Sequence, residues 1–176
     1  MRIGILKETI SGEARVSATP ETVKKMIALQ HEVQVESGAG IGAAISDEMF
    51  RSEGAKIVDR SNILKSDLIL QVRAMNSDDI KLLQPNQYVV GLLEPFNLEL
   101  KNEFSQQKVT AFSLEALPRN TRAQSMDVLS SQANIAGYKA VILASDHYKK
   151  FMPMLMTAAG TVKAATLTAP DRTTTA

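Results

Sequence analysis

Short apolar runs alternate with amphipathic stretches along roughly the first two thirds of the chain. Ile3, Ile5 and Leu6 mark a strand over residues 2–6, and Glu32–Glu36 (EVQVE) alternates with the period of two that a strand imposes. Further runs predict strands over 55–58, 67–72, 87–93 and 108–112. Between the strands, Val23, Met26 and Ile27 recur at helical spacing, and segments near 60–65, 76–84 and 97–106 read as helices. Thr19-Pro20 supplies a hydroxyl N-cap with proline at the first helical position. Ser46-Asp47-Glu48 opens a short helix that Gly54 closes. Strands and helices joined in this alternation predict an α/β fold, a doubly wound and mostly parallel sheet with helices on both faces. Ligands of such sheets bind beyond the carboxyl ends of the strands.

After Thr121 the pattern changes to one long helix, predicted over 121–150, with Thr121-x-x-Gln124 as a capping box and Pro153 as its stop. Asp127, Ser130, Ser131, Asn134 and Tyr138 fall on one face of that helix. Arg119 and Arg122 precede it, so the stripe can wall a polar, phosphate-bearing ligand. Residues 161–176 hold six Thr and four Ala without an amphipathic pattern, and are expected to be unstructured. The expected organisation is an α/β domain over 1–120, a linker helix over 121–150, and a remnant of a further domain over 151–176.

Composition narrows the functions open to the chain. Twenty Lys and Arg against nineteen Asp and Glu give a formal charge of +1, which is no footprint for nucleic acid or an anionic membrane. Cysteine is absent, which fits a reducing cytoplasmic setting, and two histidines are too few for a His-based metal site. No apolar run approaches the ~20 residues that span a bilayer, so direct membrane insertion is not expected.

Several residues carry candidate chemistry, each beside a plainer role. Gly38-Ala39-Gly40-Ile41-Gly42-Ala43 matches G-x-G-x-x-A after a strand, and Asp59 follows at the spacing of a dinucleotide fingerprint. The helix signal nearby is Ser46-Asp47-Glu48, which puts acid where pyrophosphate would sit, so the stretch reads first as a tight strand-to-helix turn. Lys7, Glu8 and Arg15 lie in the loop after the first strand, where a cation suits an anionic ligand or is simply solvated. Glu94-Pro95 ends the fifth strand at the same edge. Gln124 serves as a helix cap or a ligand contact, and Asp127 in a first turn suits the helix dipole as well as a ligand.

Read together, RIGILKE (2–8), ARVSATPETVKKM (14–26), VQVESGAG (33–40), PRNTRAQSMDVLSSQANIAGYKAV (118–141) and FMPMLMTAAGTV (151–162) resemble the N-terminal domain of the alanine dehydrogenase and pyridine nucleotide transhydrogenase family. The likeness covers residues 1–162 and implies a Rossmann-like or flavodoxin-like domain followed by a long connecting helix. The 118–141 stretch is most similar to the NAD(H)-binding alpha subunit of proton-translocating transhydrogenases. By that resemblance Arg119, Gln124, Asp127, Ser130 and Tyr138 surround the nicotinamide end of NAD(H), and no residue is required as a catalytic acid or base. It further implies NADP(H) on a partner component, a membrane component that ties the chain to the membrane periphery, and a homodimer. Alanine dehydrogenases share Arg15 but carry a Lys and a His where this chain has Gln71 and Glu94. The sequence after TAAGTV leaves the family pattern before its G-x-G-x-x-G loop. A truncated chain inactive by itself, a non-catalytic interaction module, and an amino-acid dehydrogenase are the three expectations this leaves.

Overall fold

The computed structural model describes residues 1–166, so the Thr-rich tail past Thr166, expected to be unstructured, lies outside the described residues. Two compact units divide the chain, the first Met1–Asp127 and the second beginning at Val128. In the first unit β1 (Arg2–Ile5), α1 (Pro20–Ala28), β2 (Glu32–Glu36), α2 (Asp47–Ser52) and β3 (Lys56–Val58) precede α3 (Arg60–Ile63), β4 (Leu68–Arg73), α4 (Ser77–Lys81), β5 (Tyr88–Leu92), α5 (Leu98–Gln106) and β6 (Thr110–Ser113). The strands form one six-stranded sheet in the order β3-β2-β1-β4-β5-β6. Every pairing is parallel, as doubly wound strand–helix alternation demands.

The helix starts follow the side chains the sequence offers. Thr19 Oγ1 accepts the Thr22 amide ahead of Pro20, and Ser46 Oγ accepts that of Met49. Asp59, Asn76 and Asn97 cap α3, α4 and α5 in the same way. Gly54 takes a φ of 95° just past α2, the left-handed conformation a helix C-terminus favours in glycine. The apolar faces pack on the two sides of the sheet. Val23 of α1 and Phe50 of α2 bury against Ile5, Val33 and Val35, while Ile63, Ile80 and Phe104 of the other helices bury against Ile69 and Val89.

The second unit holds α6 (Val128–His147) and an antiparallel hairpin of β7 (Leu155–Thr157) and β8 (Gly160–Val162). Here the structure corrects the expected 121–150 helix. The capping box does not form, because Asn120 rather than Thr121 accepts the Ala123 amide, and residues 124–126 wind into a 3₁₀ turn. Asp127, at ψ 87°, leaves helical geometry and separates that turn from α6. The helix ends at His147, ahead of Pro153, and the Ala165 amide then donates to the Met152 carbonyl at 2.9 Å, holding Met152 beside the returning chain. Among the described residues no helix is long and apolar enough to cross a membrane.

Candidate functional site

In a doubly wound sheet the crevice opens where strand order reverses, here between the carboxyl ends of β1 and β4. Glu8 spans that point. Its carboxylate accepts the amides of Val72 at 2.6 Å and Arg73 at 3.1 Å. Lys7, beside it, has both backbone groups fixed. Its amide donates to Glu36 at 2.9 Å, and its carbonyl accepts from Arg60 at 3.0 Å. Arg60 also binds the Glu36 carboxylate and clasps Asp79 through Nε and Nη2. One strand further, Glu115 accepts the amides of Leu93 at 3.1 Å and Glu94 at 2.7 Å and the Ser113 hydroxyl at 2.6 Å. The whole carboxyl edge is thus tied down by carboxylates.

A small cleft of about 210 Å³ opens beside this point, lined among others by Lys7, Glu8, Glu13, Arg15, Gly38 and Ile41. Arg15 donates from Nε at 2.7 Å and from Nη2 at 2.6 Å to Glu13. That guanidinium holds the Glu13 carboxyl below the ordinary carboxylate range. Burial pushes the Glu8 carboxyl up, and the two amide hydrogen bonds offset this only in part. For Glu115 burial also acts upward, but the hydroxyl of Ser113 and the surrounding amides outweigh it, and the net shift is downward.

The glycine loop is filled by the protein itself. A Cβ on Gly40 would lie 2.6 Å from the Ile45 carbonyl oxygen and 2.8 Å from the Phe50 ring, and one on Gly42 would lie 2.8 Å from the Ala14 carbonyl oxygen. These glycines permit close packing of loop on loop. The Asp47 carboxylate accepts the Gly38 amide and the Ser37 hydroxyl, and Asp59 is occupied as the cap of α3. The strand-to-helix turn is therefore the better description of G-x-G-x-x-A here.

Gln71 lies on β4, 5% exposed, with its Nε2 buried and unpartnered. Glu94 stands at the end of β5 with a φ of 53°, its carboxylate 3.8 Å from Arg73. Neither is a cationic clamp or an imidazole.

The residues predicted to meet a nicotinamide fall in both units. Arg119 and Gln124 are exposed, and Asp127 is half-buried at the end of the 3₁₀ turn. Ser130 and Tyr138 lie on α6, where with Asn134 they occupy one face, and Tyr138 is 72% exposed. Sequence reasoning missed Asn120, which caps the turn bearing Gln124, and Glu115, which clamps the β5 end. Asn at the head of a turn was the available signal for the first, and nothing local flagged the second. Among the described residues no group of three or more His, Asp or Glu could hold a metal.

An all-parallel sheet with this strand order, its carboxyl edge fixed and a turn rich in polar side chains following β6, defines an α/β domain of nucleotide-binding type. The chain belongs to the family described as alanine dehydrogenase/PNT, N-terminal domain, whose profile matches residues 4–136. It is 41% identical over 170 residues to the first of the separate polypeptides that make up the NAD(P) transhydrogenase alpha subunit of Rhodospirillum rubrum, covering 92% of this chain and 44% of that protein. Alanine dehydrogenase 1 of Staphylococcus aureus is 33% identical over 146 residues, covering 82% of this chain and 38% of that one. Among solved structures, transhydrogenase from Sinorhizobium meliloti superposes with a TM-score of 0.88 at 42% identity, covering 94% of this chain and 50% of that one. The chain spans about half or less of the length of these relatives.

Proposed function

We propose that this chain is the N-terminal portion of the NAD(H)-site component of a proton-translocating NAD(P) transhydrogenase. The observation that carries the reading is the 41% identity to a transhydrogenase alpha subunit over 92% of the chain. In the complete enzyme the reduced nicotinamide of NADPH would pass a hydride to NAD+ directly, giving NADP+ and NADH. The tasks left to this chain are positioning and electrostatics. Arg119, Gln124 and Asp127 would approach the nicotinamide end from the turn after β6, and Ser130 and Tyr138 from α6. The Gln124 carboxamide can donate and accept at once, matching the carboxamide of a nicotinamide. Carboxylate and guanidinium side chains beside it suit a cofactor whose ring changes charge on hydride transfer.

The described residues fit the nicotinamide end better than the pyrophosphate. The glycine loop is filled and Asp47 occupies its amide, so no described glycine loop cradles phosphate. NADP(H) would reside on a separate component, and a membrane component would carry the protons and hold the chain at the membrane's cytoplasmic side. A second copy of this chain is also a partner in this reading. The exposed Ile135, Val141 and Leu143 of α6 and Met156 of the hairpin are apolar surface it would cover. Sedimentation at micromolar concentration distinguishes a dimer from a monomer.

The filled glycine loop also favours a second reading, an interaction module that keeps the fold without binding cofactor. Oxidation of alanine is disfavoured by Gln71 and Glu94. The test uses the assembled transhydrogenase with this sequence as the N-terminal portion of its alpha subunit. Asp127→Asn keeps the shape and removes the charge, and should slow hydride transfer by on the order of ten- to a thousandfold, with a smaller change in NADH affinity. Tyr138→Phe, which removes only a hydroxyl, should be milder. Asp127→Asn transferring hydride at the parental rate sinks the assignment of these residues.

A further inference from the structure

The turn that carries Gln124 has little to hold it. Between Pro118 and Asp127 only Ala123 is buried, at 6% exposure. The segment therefore takes its conformation from hydrogen bonds rather than from a packed core. Most of these converge on one residue. The Asn120 side-chain oxygen accepts the Ala123 amide at 3.0 Å, and its backbone carbonyl accepts the amides of Ala123 at 3.1 Å and Gln124 at 3.2 Å. The Asn120 amide in turn donates to the Pro118 carbonyl at 2.9 Å. From Ala123 the 3₁₀ turn propagates, with the Met126 amide on the Ala123 carbonyl and the Asp127 amide on that of Gln124. The directions of Gln124 and Asp127 are thus set by a chain of short-range bonds that begins at Asn120.

We propose that Asn120 is a positioning residue for hydride transfer, acting through Gln124 and Asp127 without touching cofactor. This rests on the function proposed above. Asparagine suits the place because its short carbonyl reaches an amide three residues on without a rotamer change, and its own backbone tolerates the turn. Without that oxygen the Ala123 amide keeps only its longer bond to the Asn120 carbonyl. The turn then samples more conformations, and the fraction with Gln124 aimed correctly falls. Binding depends on the whole cofactor and changes little, whereas the reacting geometry depends on the last few tenths of an ångström.

The experiment measures hydride transfer in the assembled transhydrogenase with Asn120→Ala, Asn120→Asp, Thr121→Ala and Gln124→Ala. Asn120→Ala should lower kcat roughly three- to tenfold, the worth of one hydrogen bond, with KM for NADH within about twofold. Asn120→Asp presents the same acceptor oxygen and should restore the rate. Thr121→Ala, which removes the cap the sequence suggested, should behave as the parent. Parental kcat in Asn120→Ala, equal losses in Asn120→Ala and Thr121→Ala, or no rescue by aspartate each overturns the proposal. If Gln124→Ala is slow while Asn120→Ala is not, the positioning role alone fails. If Gln124→Ala transfers hydride at the parental rate, the nicotinamide reading of this turn fails with it.

Discussion

Glu115 holds Glu94 in a backbone conformation that glutamate seldom adopts. The Glu94 φ of 53° lies in the left-handed region, and its amide donates to the Glu115 carboxylate at 2.7 Å. The preceding amide, of Leu93, is held by the other oxygen of the same carboxylate. A strained residue at the carboxyl edge of β5 thus depends on one acceptor far along the chain.

Removing that acceptor should be costly. Glu115→Ala leaves two amides and the Ser113 hydroxyl without their partner, and should destabilise the fold by about 1–3 kcal/mol. Adding Glu94→Gly should recover part of the loss, because glycine keeps a positive φ without help. Chemical denaturation of the two single variants and the double variant gives the coupling. Strict additivity would mean that the clamp and the strain are unrelated.

Glu8 and Glu115 should respond to pH in opposite senses. The Glu8 carboxyl is raised above its ordinary value near 4.5, so its contribution to stability is complete below that value and is lost as pH rises through the folded pKa. The Glu115 carboxyl is lowered, so its contribution is present above the ordinary value and is lost as pH falls through the folded pKa. Between about pH 3 and 6, then, the parent should gain on Glu8→Gln as acid is added and lose ground to Glu115→Gln. Equilibrium unfolding across this range measures both differences, and two slopes of the same sign would contradict the assignment.

Gly40→Ala should destabilise the fold by about 1–3 kcal/mol, since its Cβ would enter space held by Ile45 and Phe50. Any NADH binding by the folded fraction should be unchanged. Calorimetry and a fluorescence titration on the same sample separate the two effects. A selective loss of NADH affinity with no loss of stability would return this loop to the phosphate-binding role its G-x-G-x-x-A suggests.

This chain alone should bind NADH only in the high micromolar to millimolar range, on the order of 4–6 kcal/mol. The reason is local: the residues suited to the nicotinamide are exposed side chains on a turn and one helix face, and the glycine loop has no free cradle for pyrophosphate. Titration by NADH fluorescence would settle the matter, and a sub-micromolar site would overturn the reading.

The sheet was legible because its signals are local. Ile3, Ile5 and Leu6, the EVQVE alternation, the caps at Thr19 and Ser46, and Gly54 each bias a few residues, and the structure uses every one of them. The turn before α6 was less legible because Asn120 and Thr121 are both good caps one residue apart. The choice between them follows from the burial of Ala123, which sequence does not display. The hairpin of residues 155–162 was missed as well. Its strands are three residues each, too short for a period to register, although Gly160 marks the turn. The Glu115 clamp joins residues far apart along the chain, so no short window contains it.

The strand order has a kinetic consequence. Within β1–β3 and within β4–β6, each new strand joins its neighbour after one intervening helix, so both halves close short loops. The pairing of β1 with β4 joins Ile3 to Leu68 and waits on a much longer closure. Loop entropy grows with length and non-local pairing slows folding. The two halves should therefore form early and meet late, with the Glu8 bonds to Val72 and Arg73 among the last made. Substitutions at that seam should then speed unfolding more than they slow folding, which stopped-flow chevrons of Glu8→Gln can read directly.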